Sequence, residues 1–362
     1  MLGWPLGARA FPFRAVHYDE QRVGPLERVV APPYDVIDEE ARERYLARSP
    51  YNVVRLTLPE SEAQAASLWR SWLEEGVLVR EEEPALWWLA QEYVGPDGLA
   101  RRREGLVCAV AVEPYSARVI LPHERTHAGP KEGRLRLLRA VRAPLEPIFL
   151  LVRGRLEGPS GRPLLEVELE GTRNLVWRLD APPPASLESA TLLIADGHHR
   201  YETALAFHAE DGSPASALVL AVIVPSEQEG LTIFPTHRLA RRLTQDLDGR
   251  EVPSVEEGLA SLPQGRAACV VYRGGRAWVV EGEAGELDTA LVERLGPEGI
   301  SYTPRLEEAL AAVDGGAAEA AFLLRPPTLE QVWSVAERGQ TMPQKSTYFY
   351  PKLPSGLLFL PL

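Results

Sequence analysis

An apolar run near the middle of the chain ends in Leu193-Ile194-Ala195-Asp196-Gly197-His198-His199-Arg200 and continues as Tyr201-Glu202-Thr203-Ala204-Leu205-Ala206-Phe207. It reads as a buried strand, a tight turn with one glycine, and a helix whose first turn carries an arginine and two histidines. A helix start presents backbone N–H groups without intrahelical partners and the positive end of the macrodipole, so it favours an anion. Gly197 lets the backbone approach a ligand closely, and Arg200 offers a forked pair of donors to a phosphate or carboxylate. The segment is therefore read as a phosphate site. In the plainer reading Asp196 is an ordinary N-cap in an Asp-Gly turn. Two histidines and an arginine crowded at one helix entrance, in a chain with only seven histidines, favour the anion site.

The rest of the composition sets the frame. At 362 residues, 45% hydrophobic and 25% charged, the chain has the make-up of a globular protein, and two domains are the natural expectation. The chain has no run of about 18 uninterrupted apolar residues, which argues against a membrane span. The N-terminus lacks a basic region followed by an apolar core, so no secretory signal is expected. Cys108 and Cys269 lie in separate strand-like runs, as expected of buried thiols in a reducing cytoplasm. A net charge of −12 argues against duplex nucleic acid as a partner, because such binding needs a basic footprint. Scarce Asn, Met and Lys beside abundant Glu, Arg and Pro point to a heat-adapted, GC-rich source.

Arginine supplies almost all the positive charge, and the only lysines are Lys131, Lys345 and Lys352. Each lies in an unusual segment, Gly129-Pro130-Lys131, Met342-Pro343-Gln344-Lys345-Ser346-Thr347 and Tyr350-Pro351-Lys352-Leu353-Pro354. Where arginine is the default, a lysine suggests that a compact ammonium is wanted rather than a fork.

Along the chain, apolar periodicity predicts helices over 38–48, 61–75 and 134–141, strands over 85–94, 106–112, 119–121 and 147–152, and a hairpin over 164–179 turning near Gly171. The polar stretch 226–230 marks the boundary between a first domain, 1–225, and a smaller α+β domain, 226–340. The tail, 341–362, is rich in Pro, Lys, Ser, Thr and aromatics and is expected to pack back on the body.

A second constellation is Pro122-His123-Glu124-Arg125-Thr126-His127-Ala128-Gly129-Pro130-Lys131. It matches the H-E-x-x-H zinc-hydrolase pattern, with His123 and His127 as ligands and Glu124 as base. That chemistry needs both histidines on one face of a helix, and the flanking prolines exclude a long one. The competing reading makes Glu124 a general base or metal-binding carboxylate, with Arg125 and Lys131 as anion contacts. Those parts suit phosphoryl transfer, which depends on positioning and charge neutralisation. Tyr34 and Asp35, stiffened by Pro32 and Pro33, are further site-lining candidates, as are His123, Thr126, Lys345 and Ser346. Thr236-His237-Arg238 has a weaker claim.

Taken in order, APPYDVI at 31–37, NVVRLTLP at 52–59, HERTHAGPK at 123–131, PIFLL at 147–151, ADGHHRYETA at 195–204 and MPQKSTYFYPKLPSGL at 342–357 resemble the domain-of-unknown-function family 1015 over nearly the whole chain. That family name supplies no reaction. The strand-DGHHR-helix unit is also similar to the phosphate-binding box of the ParB/sulfiredoxin superfamily, which includes partition proteins, ATP-dependent sulfiredoxins and free serine kinases. The likeness implies nucleotide phosphates at Gly197, His198, His199 and Arg200. The serine kinases use a glutamate as base; Glu124 is the candidate here, though its sequence context departs from theirs. Sulfiredoxin needs a reactive cysteine where this chain has Gly197, which argues against that activity.

These readings combine into an α+β (mixed α/β) fold with a ParB/sulfiredoxin-like core. The expected function is nucleotide-dependent phosphoryl transfer to or from a small hydroxylated metabolite, with free serine the first to try. ATP or ADP and Mg²⁺ are the expected cofactors. Gly197, His199 and Arg200 would bind phosphates, His198 and Glu124 would act in catalysis, and Asp196 would hold Mg²⁺ or orient His198. A nucleotide-sensing module without turnover and a zinc hydrolase are the alternatives.

Overall fold

Helix boundaries follow local capping chemistry. Asp38 accepts from Ala41 N at 2.8 Å and Ser61 from Gln64 N at 3.2 Å, each opening the helix expected there. Thr328 and Gln331 form a reciprocal capping box. Gly76, at φ 70°, ends the second of these helices as expected. The computed structural model describes residues 7–126, 128–245 and 248–362; His127 therefore lies outside the described residues.

The chain divides into two units. The first takes the stretches up to Pro122, from Thr126 to Leu231 and from Pro351 to Leu362; the second takes His123–Arg125 and Thr232–Tyr350. The sequence placed the boundary at 225/226 and treated 341–362 as one tail. In the structure the tail is divided at Tyr350/Pro351, and a three-residue piece of the His123 segment goes with the second unit.

In the first unit the strands are β1 (Ala10–Phe11), β2 (Val16–Tyr18), β3 (Leu78–Arg80), β4 (Leu86–Val94), β5 (Ala100–Ala111), β6 (Ile120–Leu121), β7 (Ile148–Val152), β8 (Leu165–Leu169), β9 (Thr172–Leu179), β10 (Leu192–Asp196) and β11 (Leu218–Pro225). Its helices are α1 (Glu20–Val23), α2 (Glu39–Arg48), α3 (Val54–Thr57), α4 (Glu62–Glu74), α5 (Ala128–Val141) and α6 (His198–Asp211). Among the described residues nine strands form one mixed sheet, ordered β6-β10-β7-β11-β5-β4-β9-β8, with β1 paired to β5. The pairs β6/β10 and β7/β11 are parallel and the rest antiparallel. This is the mixed α/β class that the sequence predicts. The hairpin near Gly171 is β8–β9, closing on the pair Leu169 and Thr172.

Strands β7, β10 and β11 read as continuous apolar runs because almost all their residues are buried. Leu192, Ile194, Ile148, Leu150 and Ile223 share a core with Tyr201 and Ala204 of α6. One expectation is corrected here. The helix expected over 134–141 begins earlier, and Gly129-Pro130 lies in the first turn of α5, where a proline's missing N–H would have had no intrahelical partner.

The second unit is built on β13 to β18 in the order below, with one further pair. Its strands are β12 (Thr232–Phe234), β13 (His237–Ala240), β14 (Arg250–Val252), β15 (Arg266–Arg273), β16 (Arg276–Ala284), β17 (Ser301–Thr303), β18 (Ala320–Leu323) and β19 (Tyr348–Tyr350). Its helices are α7 (Val255–Ala260), α8 (Asp288–Arg294), α9 (Leu306–Asp314) and α10 (Leu329–Glu337). An antiparallel sheet runs β14-β16-β15-β18-β13-β17, and β12 pairs with β19. Cys108 and Cys269 are buried free thiols. Among the described residues no helix is long and apolar enough to cross a membrane.

Candidate functional site

Strand β10 delivers Asp196 to the start of α6, and Gly197 turns the chain there with φ 92° and ψ 27°. That left-handed conformation strains any residue with a Cβ. A Cβ at this position would also lie 3.1 Å from the guanidinium carbon of Arg200, which folds back over the turn. Gly197 is itself the N-cap, with no side chain capping the helix. The reading of Asp196 as an N-cap is therefore overturned.

Asp196 instead holds two cations, one on each oxygen. Lys352 Nζ lies 2.6 Å from Oδ1 and Arg200 Nη2 lies 2.7 Å from Oδ2. Burial alone would raise the Asp196 carboxyl; the charges of Lys352, Arg200 and His198 outweigh it and hold the group well below the usual carboxylate range. Arg200 also donates to the Pro147 carbonyl. Burial opposes its charge, but Asp196, Glu146 and Asp35 keep it raised.

Glu146, buried in the same unit, gathers three of the sequence segments. Its Oε1 accepts from Tyr34 N at 2.9 Å and from Ser355 Oγ at 2.9 Å, and its Oε2 is 3.8 Å from Arg134 Nη1. Arg134 sits 4.1 Å over the Tyr34 ring and donates to Thr57 O at 2.7 Å. Burial pushes the Tyr34 hydroxyl up, against the lowering charges of Arg200 and Arg134. Tyr34 and Asp35 thus belong to the electrostatic surroundings of Arg200. Thr126 Oγ1 donates to Glu202 of α6 at 2.9 Å, and Lys131 pairs with the same carboxylate.

The remaining candidates lie in the second unit. The segment around Glu124 is extended and forms a parallel bridge with Met342. Glu124 Oε1 accepts from Ser346 N at 3.1 Å, Thr347 N at 3.3 Å and Thr347 Oγ1 at 3.2 Å. Lys345, just before these amides, has φ 53°, which turns the chain so that successive N–H groups converge on one oxygen. His123 is fully buried, with Nε2 2.8 Å from Thr347 Oγ1 and its ring edge-on to Phe349. Arg125 pairs with Glu293 at 3.1 Å, both half-exposed, an arrangement worth little energetically. Ser346 Oγ donates to Pro343 O at 2.6 Å.

Two metal expectations fail on this geometry. Both Asp196 oxygens are taken by cations, so Mg²⁺ there would have to displace Lys352 or Arg200; the residues present do not fit it. The zinc pattern needs its histidines on one helical face, but His123–Thr126 is not helical, and His123 Nε2 is engaged by Thr347. Among the described residues no group of three or more His, Cys, Asp or Glu side chains is arranged to hold a metal ion.

Sequence reasoning missed Glu146 and Arg134, which carry no motif of their own. Lys352 was marked only by the rarity of lysine. His17 lies 3.1 Å from Glu81 Oε1 and His208 2.9 Å from Ser216 Oγ, so neither ring is left over for the site.

Among solved structures the chain is similar to a free serine kinase in complex with AMP, at 17% identity and TM-score 0.41 over 64% of this chain and 83% of that one. It is similar to a conserved hypothetical protein from Pyrococcus furiosus at 18% identity and TM-score 0.41, over 66% and 90% of the two chains. SbnI with a C-terminal truncation, from Staphylococcus aureus, matches at 13% identity and TM-score 0.38, over 65% and 81%. No curated protein matches in sequence. The profile described as "Protein of unknown function (DUF1015)" matches residues 10–290, and with more than half its length inside that match the chain belongs to the DUF1015 family.

Proposed function

We propose that the start of α6 binds the phosphates of a nucleotide, ATP or ADP, and that the protein transfers a phosphoryl group between it and a small hydroxylated metabolite, free serine being the first to test. The observation that carries this reading is the entrance of α6, where Gly197 turns in the left-handed conformation and the Arg200 guanidinium folds back over the turn. Two largely buried cations share one carboxylate at a helix N-terminus opened by Gly197. The helix dipole and the backbone N–H groups without intrahelical partners favour an anion there, and Arg200 offers it a planar fork of donors. The sequence likeness to the ParB/sulfiredoxin phosphate box supports the same residues.

Glu124 is our candidate base on its own geometry. Three hydrogen bonds fix Oε1 and leave Oε2 outside them, as suits a carboxylate that must be rigid yet able to take a proton. The hydroxyl oxygen would attack the terminal phosphorus, the bond to the leaving phosphate would break, and a carboxylate base would take the hydroxyl proton. Any Mg²⁺ would arrive on the nucleotide phosphates as part of the substrate. The buried thiols fit a reducing, cytoplasmic setting.

The test is ³¹P NMR of the protein with Mg²⁺ and ATP or ADP, with and without L-serine. A new phosphomonoester signal that disappears in Glu124→Gln supports transfer and its base together. One observation favours the sensing module: Asp196 is closed by its two cations rather than open to a metal. That reading expects nucleotide line-broadening without turnover. Arg200→Ala should weaken nucleotide binding tenfold or more, since hydrogen bonds to charged groups are worth about 1.5–3 kcal/mol; unchanged affinity would remove Arg200 from the site.

A further inference from the structure

Glu124 is held by a chain of hydrogen bonds that begins at a buried histidine of the second unit. The backbone around it is pinned first: Met342 N donates to His123 O at 2.7 Å, and Arg125 N donates to Met342 O at 3.4 Å. The His123 ring is fully buried against Phe349 and brings Nε2 to 2.8 Å from Thr347 Oγ1. The same hydroxyl oxygen lies 3.2 Å from Glu124 Oε1. The turn that carries Thr347 is anchored from the sheet and from α8. Arg238 of β13, also buried, donates to Gln344 O at 3.3 Å, and Thr289 Oγ1 of α8 lies 3.2 Å from Ser346 Oγ.

Proton counting fixes the direction of this chain. An ionised carboxylate only accepts, so Thr347 donates its hydroxyl proton to Glu124 Oε1. A hydroxyl has one proton, and with that proton committed Oγ1 faces His123 as an acceptor. Nε2 must therefore carry a proton and donate it. The reverse arrangement, with Thr347 donating to a bare Nε2, would set lone pairs of Oγ1 and Oε1 against each other 3.2 Å apart. Without its second partner the hydroxyl turns about the Cβ–Oγ bond; His123 stops that rotor in the orientation that serves Glu124.

We infer that His123 is a positioning residue for Glu124, acting through Thr347 with its own proton on Nε2. This rests on Glu124 as the base of the transfer proposed above and adds the device that holds it. Oε1 is committed to the Thr347 hydroxyl and to the amides of Ser346 and Thr347. The carboxylate cannot turn about its Cγ–Cδ bond without breaking these bonds, so Oε2 keeps one direction from which to take a proton. His123 neither touches the substrate nor receives its proton, which ends on the carboxylate. The adjacent histidine and glutamate that resemble a zinc pattern in sequence thus have another use.

Two measurements test this. In the full-length chain carrying ¹⁵N-histidine, ring-nitrogen NMR separates a protonated nitrogen from a bare one, and His123→Gln identifies the His123 signals by their loss. The expected result is a protonated Nε2. Transfer from ATP or ADP to L-serine, followed by ³¹P NMR with Mg²⁺, reads the role. Thr347→Val should lower kcat about 10- to 100-fold, as loss of a hydrogen bond to a charged group predicts, with KM changed less than about twofold. Thr347→Ser keeps the hydroxyl, and the amide N–H of His123→Gln can stand in for Nε2–H, so both should retain most of the rate; His123→Leu should not. The double variant His123→Leu/Thr347→Val should be no slower than Thr347→Val alone, as residues acting through one group require. A bare Nε2 overturns this inference alone, as does transfer that is lost in Glu124→Gln but kept in Thr347→Val, or additive losses in the double variant. Transfer that survives Glu124→Gln, or no transfer by the native protein, overturns the reading beneath it and this inference with it.

Discussion

Asp196→Asn is expected to destabilise the first unit by about 3–5 kcal/mol at neutral pH, the range found when one partner of a buried charge cluster is removed. The substitution changes shape very little, so the effect isolates charge. An amide has one acceptor oxygen and two N–H donors. Whichever way it turns, it presents donors to either Lys352 or Arg200, where the carboxylate presents an acceptor to each. The two cations then lose the carboxylate they share in a largely buried place, and Arg200 is left with the longer-range charges of Glu146 and Asp35.

The same substitution should make stability depend on anions. A ligand that binds the folded state stabilises it in proportion to RT ln(1 + [L]/Kd), and in the variant the ligand replaces the missing charge. Denaturant unfolding with and without phosphate or ADP should show a larger gain for Asp196→Asn than for the native chain. The pH dependence has a definite sign. The folded-state carboxyl is held below its ordinary value, so its stabilisation is fully present above the unfolded value of about 3.9 and is lost as pH falls toward the folded one. The gap between native and variant proteins should therefore be constant near neutrality and close only in strong acid. A variant within about 0.5 kcal/mol of the native protein, with no anion response, would mean that Asp196 does not hold these cations together.

The strand–turn–helix at Asp196 was legible because its cause is local. An apolar run, one glycine and a helix-forming stretch decide it within fifteen residues, and β10, Gly197 and α6 lie where the pattern puts them. The same holds for Asp38, Ser61 and Thr328, whose side chains bond amides three residues on. What could not be read is whatever depends on distant pairing. The sheet order brings β7 and β10 together although they are far apart in sequence, and no periodicity within either strand announces that neighbour.

The candidate site shows the same division. The residues Gly197 to Arg200 could be named from their own segment. Glu146 could not, because its role arises from Tyr34 more than a hundred positions earlier and Ser355 more than two hundred later. The His123 segment misled for the converse reason. Its spacing fits a helical metal site, but pairing with Met342 draws it out as an extended stretch, and tertiary contact overrides the local pattern.

Acid should weaken the second unit through one histidine well before Asp196 responds. His237 is buried, and its Nδ1 accepts from the Leu324 amide at 3.2 Å, so the ring must be neutral with its proton on Nε2. Burial, aided by the neighbouring charge of Arg238 and opposed by Glu307, pushes its pKa from 6.5 down to about 4. Between those values the unfolded chain binds a proton that the folded chain refuses, so stability falls as pH is lowered through this window and levels off below it. At 1.36 kcal/mol for each pKa unit, the full loss is about 3 kcal/mol. His237→Asn keeps an acceptor near the Nδ1 position and removes the titration. Denaturant unfolding between pH 7 and pH 4 should give a slope for the native protein that the variant lacks, against a common background from the carboxylates. Hydrogen exchange at the Leu324 amide should quicken over the same window in the native protein only, once corrected for intrinsic pH dependence. Parallel curves for the two proteins would mean that the buried ring accommodates its proton, which would require the Leu324 bond to be dispensable and an acidic group such as Glu307 to compensate the charge.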